Sequence, residues 1–589
     1  MKGALESMAK VNGSGCDHNT STEEPPVYMA AHPKLTTQKS ALKEIIKHGQ
    51  PTTVESRGNK HTTWQQKISM YLVCILWKSF SALQLVGLII EWTTNLLALN
   101  NGVLGLLSRI IFLNWGDIVY PVVGSENYFS ILGLSDPRVD LLINASNTGK
   151  LGSAQAEVEV FPTEDAGSRS TADMCIMAAK LSYENPAVIK KVVEQNWNMH
   201  LHGFYNCWNE YQNMKNTQAY VVMDKPTDAN AVVVAFRGTE AFNAYDWSTD
   251  FDFSFITLEG LGGVHLGFLE ALGLATRDSI DTFVKMNKKA QSTKHQTKIK
   301  EQQEALANNL PPSPHHRTKS EIHATLPTSG LADTIIADSE KILAYDHITE
   351  QVALILHDNP NAKLYITGHS LGGALAVLYA AMLHYTGQTE VASKIKAVYT
   401  FGQPRVGDLN FATYFKQKLE GRYFRVVYCN DLVPRVPFDN KLFAFKHLGD
   451  CQYFNSCYDG MVVQEVPNPN FFSVRNLLTK HLNAAWELFH AMFIACPEYG
   501  NAFKENNLSI LIRALGVIFP GVAAHWPINY VNAIRLGPIP LKRSLVGDVA
   551  HTDAEFYLMQ DNLNCDVNSP VSSSVLPDRS RKSPLSKHL

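Results

Sequence analysis

Apolar and polar positions divide this chain into blocks of different character. Residues 1–65 are polar, rich in Thr, Ser, Lys and Pro, without a sustained helical or strand period, so a flexible leader with local turns is expected there. From Met70 to Leu113 the pattern inverts: only Lys78, Glu91 and Arg109 are charged. The uncharged gaps, 79–90 and 92–108, are shorter than the about 20 apolar residues a spanning helix needs. Two helices lying in one lipid leaflet, turning at Asn100, Asn101 and Gly102, would pair their own backbone and keep the three charges near water, so 70–113 is expected to be a lipid anchor. The alternatives are a span over 72–94 with Lys78 and Glu91 near the interfaces, and a buried helical layer on the folded core.

From about 165 the period changes. Residues 218–224 and 231–237 are β-branched runs separated by a Pro/Asp turn, which predicts adjacent strands. Apolar residues in 341–358 recur at helical spacing, 364–367 reads as a strand, 371–384 as a helix, and 396–402 and 425–430 as further strands. This alternation predicts an α/β domain over 165–550 with a largely parallel sheet and flanking helices. Residues 288–333 interrupt it with a polar, Pro/Ser-containing stretch expected to be a disordered surface insertion, and 566–589 reads as a flexible tail of the same kind.

Composition adds exclusions. Lys and Arg total 52 and Asp and Glu 55, a net −3 that argues against phosphate-driven nucleic-acid binding. The nine cysteines are odd in number and thinly spread, and Cys451 and Cys457 have no matching second pair, so a reduced, cytosol-facing protein without zinc is expected. The first 20 residues have no continuous apolar run, so no secretory signal is expected.

The chemistry concentrates at 364–380. Gly368-His369-Ser370-Leu371-Gly372 fits G-x-S-x-G with a strand before it and a helix after it. A serine on so sharp a turn needs small flanking residues for the backbone to pass closely, and it stands at a helix N-terminus where the Leu371 N–H favours developing negative charge. A serine nucleophile needs a base and a carboxylate, which in this architecture follow it in the order acid, then histidine. Asp431 stands directly after the strand 425–430 and is favoured as the acid over Asp408, which follows a longer Pro/Gly turn. For the base, His447, His481, His490 and His525 are candidates, with His551 and His588 behind them. His525 is favoured because it sits in a loop before a helix starting near Pro527. A second oxyanion donor is expected from Thr239, after the strand 231–237 and Gly238.

With these residues on the page, FRGT (236–239), DWSTDFDF (246–253), VHLGF (264–268), TGHSLGGALA (367–376), TFGQPRVGD (400–408) and NDLVPRVP (430–437) resemble the class 3 lipase family. The resemblance, which covers about 200–450 and extends through His525, implies an α/β-hydrolase fold, Ser370 as nucleophile, Asp431 as acid, Thr239 and Leu371 as oxyanion donors, a lid in about 240–256, and a structural role for His447. The apolar N-terminal block, the 288–333 insertion, the long acid-to-histidine segment and AHWPINYVNAIRLG are similar to the plant oil-body lipases of that family. That likeness implies hydrolysis of triacylglycerol, and of di- and monoacylglycerol, at a lipid-droplet surface facing the cytosol, or at an endoplasmic reticulum membrane. The expected partners are neutral lipid and its surface, with no cofactor or metal. A phospholipase A1 or galactolipase would use the same triad, and a droplet coat or tether is the non-catalytic alternative. Helical material at 478–495 is expected to wall the acyl pocket or to act as a lid.

Overall fold

The structure, a computed structural model, describes residues 28–31, 54–57, 64–112, 114–142, 161–210, 212–240, 243–277, 341–437, 445–469, 471, 476–494 and 505–537. The expected insertion at 288–333 and the tail at 566–589 lie outside them, as do His551 and His588. Strands β1 (Tyr28–Ala31) and β2 (Val54–Arg57) fall within the expected leader and correct that expectation in part. Four-residue strands are too short to show a period of two in the sequence.

Helix α1 (Trp64–Leu99) is continuous through the apolar block, and α2 (Gly102–Ile111) follows a turn at the expected Asn100–Asn101, where Asn101 takes a left-handed φ of 59°. Among the described residues, Ser69–Leu99 is the one helical stretch long and apolar enough to cross a membrane. Met70, Val73 and Cys74 are buried, whereas Leu85, Ile89 and Leu104 are 59, 58 and 82 % exposed. A buried layer therefore describes only the first turns of α1. Next come α3 (Ile131–Ser135) and α4 (Arg169–Leu181), each capped by a serine whose hydroxyl accepts a backbone N–H of the first turn.

The main sheet begins with β3 (His200–Asn209), β4 (Met214–Met223) and β5 (Ala231–Phe236). Helix α5 (Ala244–Phe251) and the hairpin of β6 (Phe255–Leu258) and β7 (Gly262–His265) follow. Beyond the undescribed insertion run α6 (Ala344–Asp358), β8 (Lys363–His369), α7 (Leu371–Tyr385), β9 (Ile395–Phe401), α8 (Leu409–Leu419) and β10 (Tyr423–Tyr428). Then come β11 (Cys451–Phe454), β12 (Gly460–Val463), α9 (Leu477–Phe489), α10 (Asn507–Ile518), α11 (Pro520–Ala524) and α12 (Pro527–Leu536).

Eight strands make the main sheet in the order β12-β11-β10-β9-β8-β5-β4-β3, with the run from β5 through β8, β9 and β10 to β11 parallel. Its middle strands are buried on both faces, which is why β5 reads AVVVAF with no polar alternation. Helices α6, α7 and α8 pack one face and α4 and α12 the other. This is an α/β-hydrolase fold. The carboxyl ends of β5, β8 and β10 open on one edge, where such sheets place their chemistry.

A smaller antiparallel sheet, β2-β1-β6-β7, flanks that edge. Strand β1 pairs with β6, Tyr28 opposite Ile256, and its Met29 and Ala31 join Met70, Phe253, Phe255 and Phe445 in one buried cluster. The leader and the start of the apolar helix are thus stitched to the segment below α5. Cys457 is disulfide-bonded, which corrects the fully reduced expectation, while Cys74, Cys175, Cys207, Cys429 and Cys451 are free and buried. Disulfide partners are set by proximity in the fold, which spacing does not encode.

Candidate active site

Strand β8 ends at His369 and α7 begins at Leu371, leaving Ser370 alone on the turn with φ 60° and ψ −134°. A non-glycine residue rarely adopts that backbone, and close packing holds it here. A Cβ on Gly368 would lie 2.2 Å from the carbonyl carbon of Gly372, and one on Gly372 would lie 2.3 Å from the carbonyl oxygen of Phe236. Both positions must be glycine for strand, turn and helix to meet. The N–H of Leu371, first residue of α7 and next to the nucleophile, has no partner within the helix. A Cβ on Gly238 would sit 3.0 Å from the Cβ of Ser370, so the turn after β5 that carries Thr239 abuts the serine. Thr239 and Leu371 are both buried.

The structure brings Ser370, His525 and Asp431 together. The Ser370 hydroxyl donates to His525 Nε2 at 2.7 Å, and His525 Nδ1–H donates to Asp431 Oδ2 at 2.8 Å. Three segments far apart in sequence supply them: the elbow, the turn after β10, and the loop between α11 and α12. Asp431 Oδ1 also accepts the Val433 N–H at 2.8 Å, and Oδ2 accepts the hydroxyl of Tyr530. Burial first, and the Asp431 charge next, hold the Tyr530 phenol well above its ordinary range, so it remains a donor. The carboxylate is thereby fixed against the imidazole, with 0 % of its surface exposed.

His369 has a supporting place in this arrangement. Its Nε2–H donates to the backbone carbonyl of His525 at 2.9 Å, and its Nδ1 accepts the Tyr183 hydroxyl at 2.7 Å. Burial, and then the neighbouring His525, push the His369 ring well below its ordinary range, which keeps it neutral and able to do both. The elbow thus clamps the loop that presents the base.

The other candidates lie elsewhere. Asp408 caps α8, accepting the Phe411 N–H at 2.9 Å. His447 donates to the Pro434 carbonyl and His481 to the Val517 carbonyl, and His490 stands beside Tyr458. None of them touches Ser370. Tyr183 and Tyr530 went unnoticed in the sequence. Tyr530 had a faint signal, one turn into the helix after His525, but Tyr183 is 186 residues from its partner and had none.

Ser370 is 1 % and His525 7 % exposed, so the site is closed. Trp247 of α5 approaches the His525 ring edge-on at 6.3 Å between centroids, and α5 lies beneath the first turns of α1, where Ser69 Oγ donates to the Phe251 carbonyl. The expected lid region is thus a helix over the site. The expected wall at 478–495 is a helix whose apolar side faces outward.

Known proteins resemble this chain along most of its length. Residues 233–441 match the family described as lipase (class 3). A Nicotiana tabacum protein named triacylglycerol lipase OBL1 is 41 % identical over 483 residues, covering 77 % of this chain and 79 % of that one. Proteins of the same name from Ricinus communis and Arabidopsis thaliana are 37 and 35 % identical, covering 80 and 82 % of this chain and 86 and 87 % of their own lengths.

Proposed function

This chain belongs to the class 3 lipase family, and we propose on that premise that it hydrolyses triacylglycerol, then di- and monoacylglycerol, at the cytosolic surface of a lipid droplet or of an endoplasmic reticulum membrane. It is a serine hydrolase. Ser370 is assigned as nucleophile, His525 as general base and then acid, and Asp431 as the carboxylate that fixes the imidazole tautomer. The observation that carries the reading is the continuous bonding from Ser370 Oγ through His525 to Asp431 behind a glycine-flanked elbow.

In the first half-reaction Ser370 Oγ attacks the ester carbonyl while His525 Nε2 takes its proton. The Leu371 N–H and Thr239 stabilise the tetrahedral oxyanion, His525 returns the proton to the departing glyceride oxygen, and an acyl-serine remains. Water, deprotonated by the same imidazole, then releases the fatty acid.

Residues 165–550 are assigned as the lipase domain and 70–113 as the lipid anchor. The names of the three relatives support a neutral glyceride over a phospholipid or galactolipid, and the exposed apolar surface of α1 and α2 supports a lipid surface. Release of fatty acid from emulsified long-chain triacylglycerol tests the reading. Ser370→Ala should abolish turnover by several orders of magnitude while the protein stays folded. Unchanged turnover in that variant, or none in the parent protein with triacylglycerol but ready release from phospholipid, would overturn it.

A further inference from the structure

A helix packed on a body surrounded by water turns its apolar stripe inward. Helices α9 and α10 do the reverse. From 477 to 493, through α9 and the wider turn that continues it, every exposed residue is apolar. Leu478, Leu482, Phe489 and Phe493 stand 71, 52, 48 and 59 % exposed at helical spacing on one side. The inward side carries Lys480, Asn483, Glu487 and His490, all buried. From 508 to 524 the exposed residues are again all apolar, led by Leu511, Leu515, Ile518 and Phe519, while Ser509 and Arg513 point inward.

Inward charged and polar groups are paired across the two helices. Arg513 bonds Glu505 at 2.6 Å and Asn529 at 2.9 Å and lies 3.6 Å from Glu487, and His481 of α9 donates to the Val517 carbonyl of α10 at 2.7 Å. The pair is therefore a built unit with a polar interior and an apolar exterior. Each large apolar side chain left in water forgoes the free energy of its burial, so water is the wrong surrounding for this face.

We propose that α9, α10 and α11 form a second lipid-docking face, seated in the monolayer that covers neutral lipid, distinct from α1 and α2 and placed beside the catalytic loop. The proposal rests on the lipid-surface reading above. Two observations favour lipid over a protein partner or a second copy of this chain. A protein interface has a polar rim of hydrogen-bonding and charged groups, whereas among the described residues of this face the exposed polar side chains come down to Asn507 at the start of α10. It is also continuous with the other exposed apolar surface: Leu508 of α10 and Ile90 of α1 pack against the same α3 cluster as Trp526, the neighbour of His525. Helix α11 ends one residue before His525, and its Gly521 carbonyl accepts the N–H of Leu432, next to Asp431. Insertion of this face would bring the catalytic loop to the lipid.

The test uses the full chain and artificial droplets of triolein coated with phosphatidylcholine. A triple variant Leu482→Glu, Phe489→Glu, Leu515→Glu should lower the floated fraction and triolein hydrolysis by about tenfold or more, and leave turnover of a soluble butyrate ester within about twofold. A parent protein that does not float defeats the lipid-surface reading itself. A parent that floats with a triple variant that floats and hydrolyses triolein equally well defeats only this inference. So does a variant that binds droplets normally but has half the parent's mass in solution, since the face would then belong to a second copy. Should the triple variant fail to fold, Phe493→Trp keeps the inference exposed: its added fluorescence should be quenched on droplets made with brominated lipid, and no added quenching on bound protein would overturn it.

Discussion

Single side chains decide how well Asp431 and His525 are held. Tyr530 donates to the same carboxylate oxygen that receives His525 Nδ1–H, and a hydrogen bond to a charged group is worth about 1.5–3 kcal/mol. Tyr530→Phe keeps the packing and removes that bond, so kcat on a soluble ester should fall about tenfold with KM little changed; equal kcat would show that Val433 N–H and His525 suffice to orient Asp431. Away from the chemistry, His265 donates Nε2–H to the Asp252 carbonyl at 2.7 Å and stacks on Phe268 at 3.9 Å. Burial drives its ring from 6.5 down to about 4. Between those values the unfolded chain binds the proton and the folded chain does not, so stability is full above pH 6.5 and falls as pH drops through the window, by up to about 3 kcal/mol below pH 4. Melting temperatures at pH 7.5 and 4.5 should differ less in His265→Asn than in the parent; an equal difference would place the acid sensitivity elsewhere. Ser370, Asp431 and His525, which the structure brings together, were legible because each follows a strand or precedes a helix with a recognisable turn. Tyr183 and Tyr530 were not, since their partners arrive from segments 186 and 99 residues away.

At the level of elements, the long apolar runs β5, β8, β9 and α7 announced themselves in the sequence, because a parallel sheet buried on both faces has no polar alternation to hide its strands. Strand β1 did not, for four residues of YMAA carry no pattern and its partner β6 lies more than 200 residues on. Helix α1 was legible as lipid-like but not as two things at once. Its first turns are core, with Met70 1 % exposed against Phe253 and Phe255 just after α5, and its later turns offer Leu85 and Ile89 to the outside. The two halves should respond oppositely. Met70→Ala should cost about 2–5 kcal/mol of stability through the cavity it leaves. Leu85→Asp with Ile89→Asp should leave the melting temperature nearly unchanged and cut flotation with droplets severalfold. Thermal melts and flotation run on both variants separate the roles, and a stability loss in the second variant as large as in the first would make the whole helix core.

Over the whole molecule, the closed site and the helix with exposed apolar turns form one mechanical chain. Trp247 sits against His525 on α5, α5 lies under the first turns of α1, and the segment after α5 is tied to β1: Ala31 N–H donates to Ser254 Oγ at 2.9 Å, and Arg277 donates to the Ala31 carbonyl while paired with Asp252 and Glu270. With Ser370 1 % exposed and Trp247 against His525, the proposed substrate would need α5 to move, and the helix that covers α5 is the one whose later turns leave Leu85 and Ile89 exposed. Burial of the triad against water thus couples to where α1 sits. Strand β1 includes neither a triad residue nor an exposed apolar turn of α1, so removing it tests the coupling alone. Deleting residues 1–35 strips Met29 and Ala31 from the cluster with Met70, Phe253 and Phe255 without breaking the Arg277 ion pairs to Asp252 and Glu270. The truncated protein should melt at lower temperature, be cut faster by protease around α5, and turn over a soluble ester a few-fold faster than the full chain, because the cover over His525 opens more often. Its rate on emulsified triacylglycerol should rise less, since at a droplet the cover is already displaced. A soluble-ester rate that falls in step with stability would mean that α5 supports the catalytic geometry instead of blocking access to it, and the coupling of α1 to the site would have to run by another route.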